Sequence, residues 1–123
     1  MILSRQPNTL KRELQPPAPS NQRNQIWLTT RLTLELPPDL ALAPATAAKF
    51  ILIAVRDHGA GIPPEVRARI FEPFFTTKNL SARRGAGLGL SMVYELAKNM
   101  GAGLAVESAP GAGSTFTLIL PAT

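Results

Sequence analysis

Two groups of residues in this chain have the types and spacing to do chemistry: Asp57-His58-Gly59-Ala60-Gly61-Ile62, and Gly85-Ala86-Gly87-Leu88-Gly89-Leu90 beyond a basic stretch. Asp57 follows the apolar run Phe50 to Val55. A carboxylate at a strand end can accept a hydrogen bond from the exocyclic amine of adenine, and the missing side chains of Gly59 and Gly61 let backbone lie close to a flat ring. The plainer alternative is an Asp-Gly turn in which Asp57 binds a neighbouring amide. Gly85, Gly87 and Gly89 can expose successive amides at a helix start, where the helix dipole attracts phosphate. Lys78, Arg83 and Arg84 stand just before them. Each cation set on a phosphate would contribute about 1.5–3 kcal/mol if partly desolvated, and nothing as part of a plain solvated loop. A dinucleotide fingerprint would need a strand directly before the glycines, and a P-loop would need Gly-Lys-Ser or Gly-Lys-Thr. Neither is present.

Between the two groups stand Phe71, Phe74 and Phe75, the densest aromatic cluster of the chain. For Phe71 the expectation is core packing, while Phe74 or Phe75 is a candidate for a contact between domains. His58 is the single histidine. It sits in a tight turn and not on an exposed helix before an acid, so it reads as an ordinary turn residue and not as a phosphoacceptor.

The elements that must hold these groups follow from periodicity. Ile26 to Leu36 alternates Leu32, Leu34 and Leu36 against Thr33 and Glu35, the pattern of a half-buried strand stopped by Pro37-Pro38. Asp39 to Ala48, with Pro44 in its middle, reads as a loop with at most a helical turn. Phe50 to Val55 reads as a central strand covered on both faces. Pro63-Pro64-Glu65 starts a short helix ending near Glu72-Pro73, and Phe75 to Ala86 is a loop. Leu88, Met92, Leu96 and Met100 recur every four residues, the apolar stripe of an amphipathic helix closed by Gly101. Leu104 to Ser108 and Ser114 to Leu120 form a hairpin around Ala109 to Gly113. Together these predict a two-layer α/β sandwich with a mixed sheet and helices on one face.

A chain of 123 residues supports one modest core. Met1 to Gln25, rich in Pro, Gln, Asn and Arg, reads as a disordered tail, which leaves residues 26–123 as the domain. The start has no secretory signal, no apolar run approaches the roughly 20 residues of a membrane span, and cysteine is absent. A cytoplasmic protein is expected. The net charge of +5 is split into +3 over residues 1–35 and +2 over residues 36–123. The folded part is therefore nearly balanced, which speaks against a nucleic-acid partner.

Asp57-x-Gly59-x-Gly61, then Phe71-Glu72-Pro73-Phe74-Phe75-Thr76-Thr77-Lys78, then Gly85-x-Gly87-Leu88-Gly89-Leu90 together resemble the first glycine box, the phenylalanine box and the second glycine box of the ATP-binding domain of sensor histidine kinases, of the nitrogen-regulation type. Three boxes in order at short spacing are a far more specific signal than any one. The likeness runs from about Lys49 to Pro121, and more weakly over Ile26 to Leu36. It implies a histidine protein kinase of two-component signalling and an ATP site formed by Asp57, Gly59, Gly61, Ile62, Phe75, Thr77, Lys78, Arg83, Arg84, Gly85, Ala86, Gly87, Leu88, Gly89 and Leu90. It also implies magnesium, a response regulator and histidine-bearing dimerisation helices as partners. The family's asparagine-box helix, which supplies the magnesium ligand, has no match here, nor do the dimerisation helices. The domain is thus expected to be N-terminally incomplete and this chain alone not competent for phosphoryl transfer, with no catalytic residue assigned. The alternatives are a non-catalytic module that binds a response regulator or partner kinase, and a mismatch-repair, topoisomerase or chaperone ATPase of the same superfamily. The phenylalanine box and the terminal hairpin argue against the last.

Overall fold

The computed structural model describes residues 2–3, 25–75 and 89–123. The apolar run at Phe50 forms the middle of a nine-residue strand, Lys49–Asp57. In chain order the strands are β1 (Ile2–Leu3), β2 (Trp27–Thr33), β3 (Leu40–Leu42), β4 (Lys49–Asp57), β5 (Gly103–Ser108) and β6 (Ser114–Ala122), and the helices are α1 (Pro64–Arg67) and α2 (Gly89–Met100). The sheet order is β1-β2-β4-β6-β5-β3. Only β1 runs parallel to its neighbour, so the sheet is mixed, as expected. Among the described residues no helix is long and apolar enough to cross a membrane.

Several boundaries differ from the sequence reading, each for a local reason. β2 ends at Thr33, not Leu36, because the Thr33 hydroxyl accepts the Glu35 amide hydrogen at 3.1 Å and turns the chain. Leu40–Leu42 is a strand where a loop is expected, since pairing with β5 supplies a partner that three residues between prolines do not advertise. Ile2 and Leu3 pair with Thr29 and Thr30, a short strand inside the stretch read as a tail. α1 is a single turn followed by further turns to Phe74.

Directly opposed residues of an antiparallel pair share a face, so the register sorts the sheet into two. One face carries Phe50, Leu52, Ala105 and Ile119, closed by Leu40 and Ala47 from the β3–β4 stretch. The other carries Leu104, Leu118 and Leu120, and both helices lie there through Ala97, Tyr94 and Phe71. The helices cover only its β5–β6 half. Leu28, Leu32, Ile51 and Val55, on the β2–β4 half of the same face, are exposed, Leu32 to 53%. The central strand is therefore covered on one face and partly open on the other, a departure from the expected double cover.

α2 ends as expected, with Gly101 left-handed at φ 74°. Its buried face is not the Leu/Met stripe. Ser91 and Ala97 are buried, with Tyr94 partly so, while Met92, Val93, Leu96 and Met100 are exposed. Small side chains let the helix approach the sheet closely, and the larger ones are left on the flank away from α1. The bare flank and the bare half-sheet thus adjoin, and apolar surface of that extent favours association. The chain is expected to self-associate with rising concentration. Leu32→Lys combined with Leu96→Lys should lower the association constant by about a hundredfold or more, since burying each leucine contributes about 1.5–3 kcal/mol. Monomer stability should change by about 0.5 kcal/mol or less per site, because both side chains already face water. Sedimentation across a concentration series checks this; an unchanged monomer fraction would show that this surface is not the contact.

Candidate nucleotide site

Asp57 is the last residue of β4 and pairs with Ser114 at the start of β6. Its Oδ1 accepts the Gly59 amide hydrogen at 2.8 Å, so the carboxylate closes its own turn and is held in one orientation. The plain turn reading of Asp57 is realised by one oxygen. Oδ2 has no hydrogen-bond partner among the described residues, and it is the atom that remains for a ligand.

The glycines that follow serve a purpose the sequence reading did not assign to them. Gly61 has φ 79°, and a Cβ built there would lie 1.8 Å from the Ala109 carbonyl oxygen. Its missing side chain is required by the hairpin turn beneath it. Gly113, at φ 73°, is required in the same way by the Asp57 carbonyl, 2.2 Å from its virtual Cβ. Gly59 is milder, with Oδ1 of Asp57 at 3.2 Å. The loop after β4 and the β5–β6 turn are therefore pressed backbone to backbone.

Polar groups lock that contact. The Ser108 hydroxyl accepts the Ile62 amide hydrogen at 2.8 Å, lies 2.9 Å from the Gly113 carbonyl oxygen and 2.8 Å from the Ser114 hydroxyl. The Gly111 amide donates to the Ala60 carbonyl at 2.6 Å, and Arg56 reaches Thr115 Oγ1 at 3.2 Å. Ser108 is thus the residue that positions Ile62. Sequence reasoning missed it because a serine at a hairpin end gives no signal until the turn is known to touch residues 46 positions earlier. His58 lies half-buried in the same turn, with Nε2 buried and without a hydrogen-bond partner among the described residues.

Phe71 stacks obliquely on Tyr94, centroids 5.6 Å apart, within the core under the helices. Phe74 stands 69% exposed in a left-handed conformation, φ 65°, which is uncommon for a bulky residue. Phe75 lies under the Arg69 guanidinium, 4.6 Å from its ring centre, and Arg69 binds both carboxylate oxygens of Glu72 at 3.0–3.3 Å. That hydrogen bond, followed by the Glu72 charge, holds Arg69 above its ordinary value; the same bond holds the Glu72 carboxyl below its usual range. Both groups are solvent-exposed, so the pair orients Phe75 more than it stabilises the fold.

Gly89 begins α2, and a Cβ there would meet nothing within 4 Å among the described residues. Leu90 beside it is half-buried. Thr77, Lys78, Arg83, Arg84, Gly85, Ala86, Gly87 and Leu88 lie outside the described residues. The structure therefore brings Asp57, Gly59, Gly61 and Ile62 together on the hairpin turn, and places Phe75, Gly89 and Leu90 at the two ends of the stretch between. Among the described residues no three His, Cys, Asp or Glu side chains are grouped to hold a metal ion.

Over residues 14–123 the chain matches the family of histidine kinase-, DNA gyrase B-, and HSP90-like ATPases, and it belongs to that family. Within it, the similar proteins are sensor histidine kinases. It is 40% identical to the sensor-like histidine kinase SenX3 of Mycobacterium tuberculosis over 124 aligned residues, 89% of this chain and 30% of that protein. Against the sensor kinase CckA of Brucella abortus it is 47% identical over 74 residues, 60% of this chain and 8% of that protein. Among solved structures, full-length ShkA in complex with AMPPNP superposes with a TM-score of 0.56 at 31% identity, covering 78% of this chain and 17% of that one. The mycobacterial sensor histidine kinase MprB superposes with a TM-score of 0.52 at 28% identity, covering 76% and 55%. The chain thus spans 30% or less of these two curated relatives. It is an ATP-binding domain of the sensor histidine kinase type.

Proposed function

We infer that the chain forms the adenine-nucleotide part of a sensor histidine kinase of a two-component system, acting in the cytoplasm, whose whole protein passes the γ-phosphoryl group of ATP to a histidine. One observation carries the nucleotide assignment. The Asp57 carboxylate is fixed by the Gly59 amide through Oδ1, leaving Oδ2 as an acceptor at the end of β4. Adenine offers its exocyclic amine to such an acceptor. Gly89 at the N-terminus of α2, where an added Cβ meets no described atom within 4 Å, suits a phosphate, and Lys78, Arg83 and Arg84 would supply the cations. Phe75, held by Arg69, and Ile62, held by Ser108, would form apolar walls.

Magnesium would screen the phosphates during transfer. Among the described residues no three His, Cys, Asp or Glu side chains are grouped to hold it, and no step is derived through the ion. The acceptor imidazole and a response regulator would be met through other parts of the whole protein. His58 is not the acceptor, because it adjoins the residue that holds adenine, whereas the γ-phosphate lies at the far end of an extended nucleotide.

Comparing ATP with GTP tests the assignment. Guanine presents a carbonyl oxygen where adenine presents an amine, so Oδ2 would face another acceptor. An unsatisfied or repelled buried polar group costs about 1–3 kcal/mol. Calorimetric titration is expected to show ATP bound at least about tenfold more tightly than GTP. Equal affinities would remove Asp57 from the adenine contact.

A further inference from the structure

On the far side of α2 from its bare flank is a second concavity. A cavity of about 700 Å³ lies between α1, α2 and the edge strand β3. Val106 and Phe71 give it an apolar floor and wall, and Asp39, Arg67 and Glu95 give it a charged rim. None of Asp57, Gly59, Gly61 or Ile62 lines it, so it is separate from the nucleotide anchor, and nothing in the proposed phosphoryl transfer uses it.

Two features select what fits. β3 is last in the sheet order, and among the described residues nothing pairs with its outer edge. An edge with free backbone groups takes an extended strand. In addition, the Asp39 and Glu95 carboxylates make no hydrogen bond or ion pair among the described residues, whereas Glu72, which also lines the cavity, is already taken by Arg69. Among the described residues the rim thus carries two unpaired carboxylates, one beside β3 and one on α2, against the single cation Arg67, which leaves it net acidic around an apolar floor.

We propose that this cavity docks an extended segment of a partner protein, one that sets an apolar side chain between basic ones. The apolar residue enters over Val106 and Phe71, the flanking lysine or arginine meets Asp39 and Glu95, and the segment runs along the edge of β3. Volume supports this occupant, since about 300–1,000 Å³ is the usual span of a site that buries a ligand of several side-chain groups.

The test uses the full chain and a fluorescein-labelled six-residue peptide alternating lysine with leucine, with a glutamate–leucine peptide as control. Fluorescence anisotropy is expected to show saturable binding of the lysine peptide only. Glu95→Lys should weaken it by about tenfold, since a rim attraction becomes a repulsion. Asp39→Asn should weaken it by about threefold: Asp39 has φ 54°, which asparagine adopts as readily as aspartate, so only the charge changes. Ala68→Trp, on an exposed residue lining the cavity, should abolish binding by filling it. ATP affinity should be unchanged in all three, which separates failure here from failure of the nucleotide site. Lysine-peptide binding that survives Ala68→Trp, equal binding of the glutamate peptide, or no binding at about 1 mM would overturn the proposal. Self-association abolished by Ala68→Trp, without peptide binding, would also overturn it and assign the cavity to a second copy of this chain.

Discussion

Gly61→Ala is expected to lower the melting temperature by about 15 °C or more, because among the described glycines it is the one whose added Cβ would come nearest a backbone atom. The new Cβ would stand 1.8 Å from the Ala109 carbonyl oxygen and 2.7 Å from its carbon. Both are backbone atoms of a turn locked by Ser108 and Gly111, so neither can move aside as a flexible side chain would. Left-handed strain adds to the overlap, and together they cost about 3–5 kcal/mol out of a total stability of about 5–15 kcal/mol. Gly89→Ala is the control. Among the described residues its added Cβ meets no neighbour within 4 Å, and it sits at the start of a helix, so its melting point should stay within about 4 °C of the parent or rise. Thermal scans of both variants decide the matter, and a similar fall in each would mean that the turn contact is not what glycine serves at position 61.

Asp57→Asn should leave the fold nearly intact and remove most of the affinity for ATP. Asparagine keeps one side-chain oxygen, which can accept the Gly59 amide as Oδ1 does now at 2.8 Å. The atom replacing Oδ2 is then an NH₂ group, a donor set against the donor amine of adenine. Losing one charged hydrogen bond and gaining an unfavourable pair amounts to about 2–3 kcal/mol, or about 30- to 150-fold in the dissociation constant. Asp57→Ala loses the turn closure as well and should also melt lower. Calorimetric titration alongside thermal melting separates the two effects. An affinity of the Asp57→Asn variant within about threefold of the parent would mean that adenine is held elsewhere.

How much of this was legible in the sequence depended on whether a signal was local. β4, α2 and the β5–β6 hairpin each carry their own period, and the three boxes carry their own residue types, so the fold class and the family followed from them. β3 has three residues and no period; it is a strand because β5 is beside it. α2 misled in a particular way. Its loudest pattern, the Leu and Met residues four apart, marks surface, while the face against the sheet is marked by Ser91 and Ala97, whose small size is what close packing needs and what hydropathy overlooks. Asp57 was singled out by type and position. The reason for Gly61 was not, because a steric demand from Ala109 is a tertiary fact about residues 48 positions apart. Phe74 and Phe75 differ from Phe71 only through conformation and neighbours, which three identical side chains cannot announce.

The wedge of the Ala109–Gly113 turn beneath the loop after β4 also sets an order of events during synthesis. The partners joined there are 46 and 59 positions apart in the chain, Ile62 with Ser108 and Arg56 with Thr115, so loop closure must span most of the domain before either forms. The Asp57 turn can close on itself early, through Gly59. The support beneath Gly61 cannot exist until Ser108 to Ser114 has left the ribosome, and a nascent chain ending before β6 carries the aspartate without the surface that holds its loop in place. Competence to hold a nucleotide thus arrives with the last strand, so that a polypeptide cut short near its end lacks the site even though every residue proposed to touch the purine has already been made.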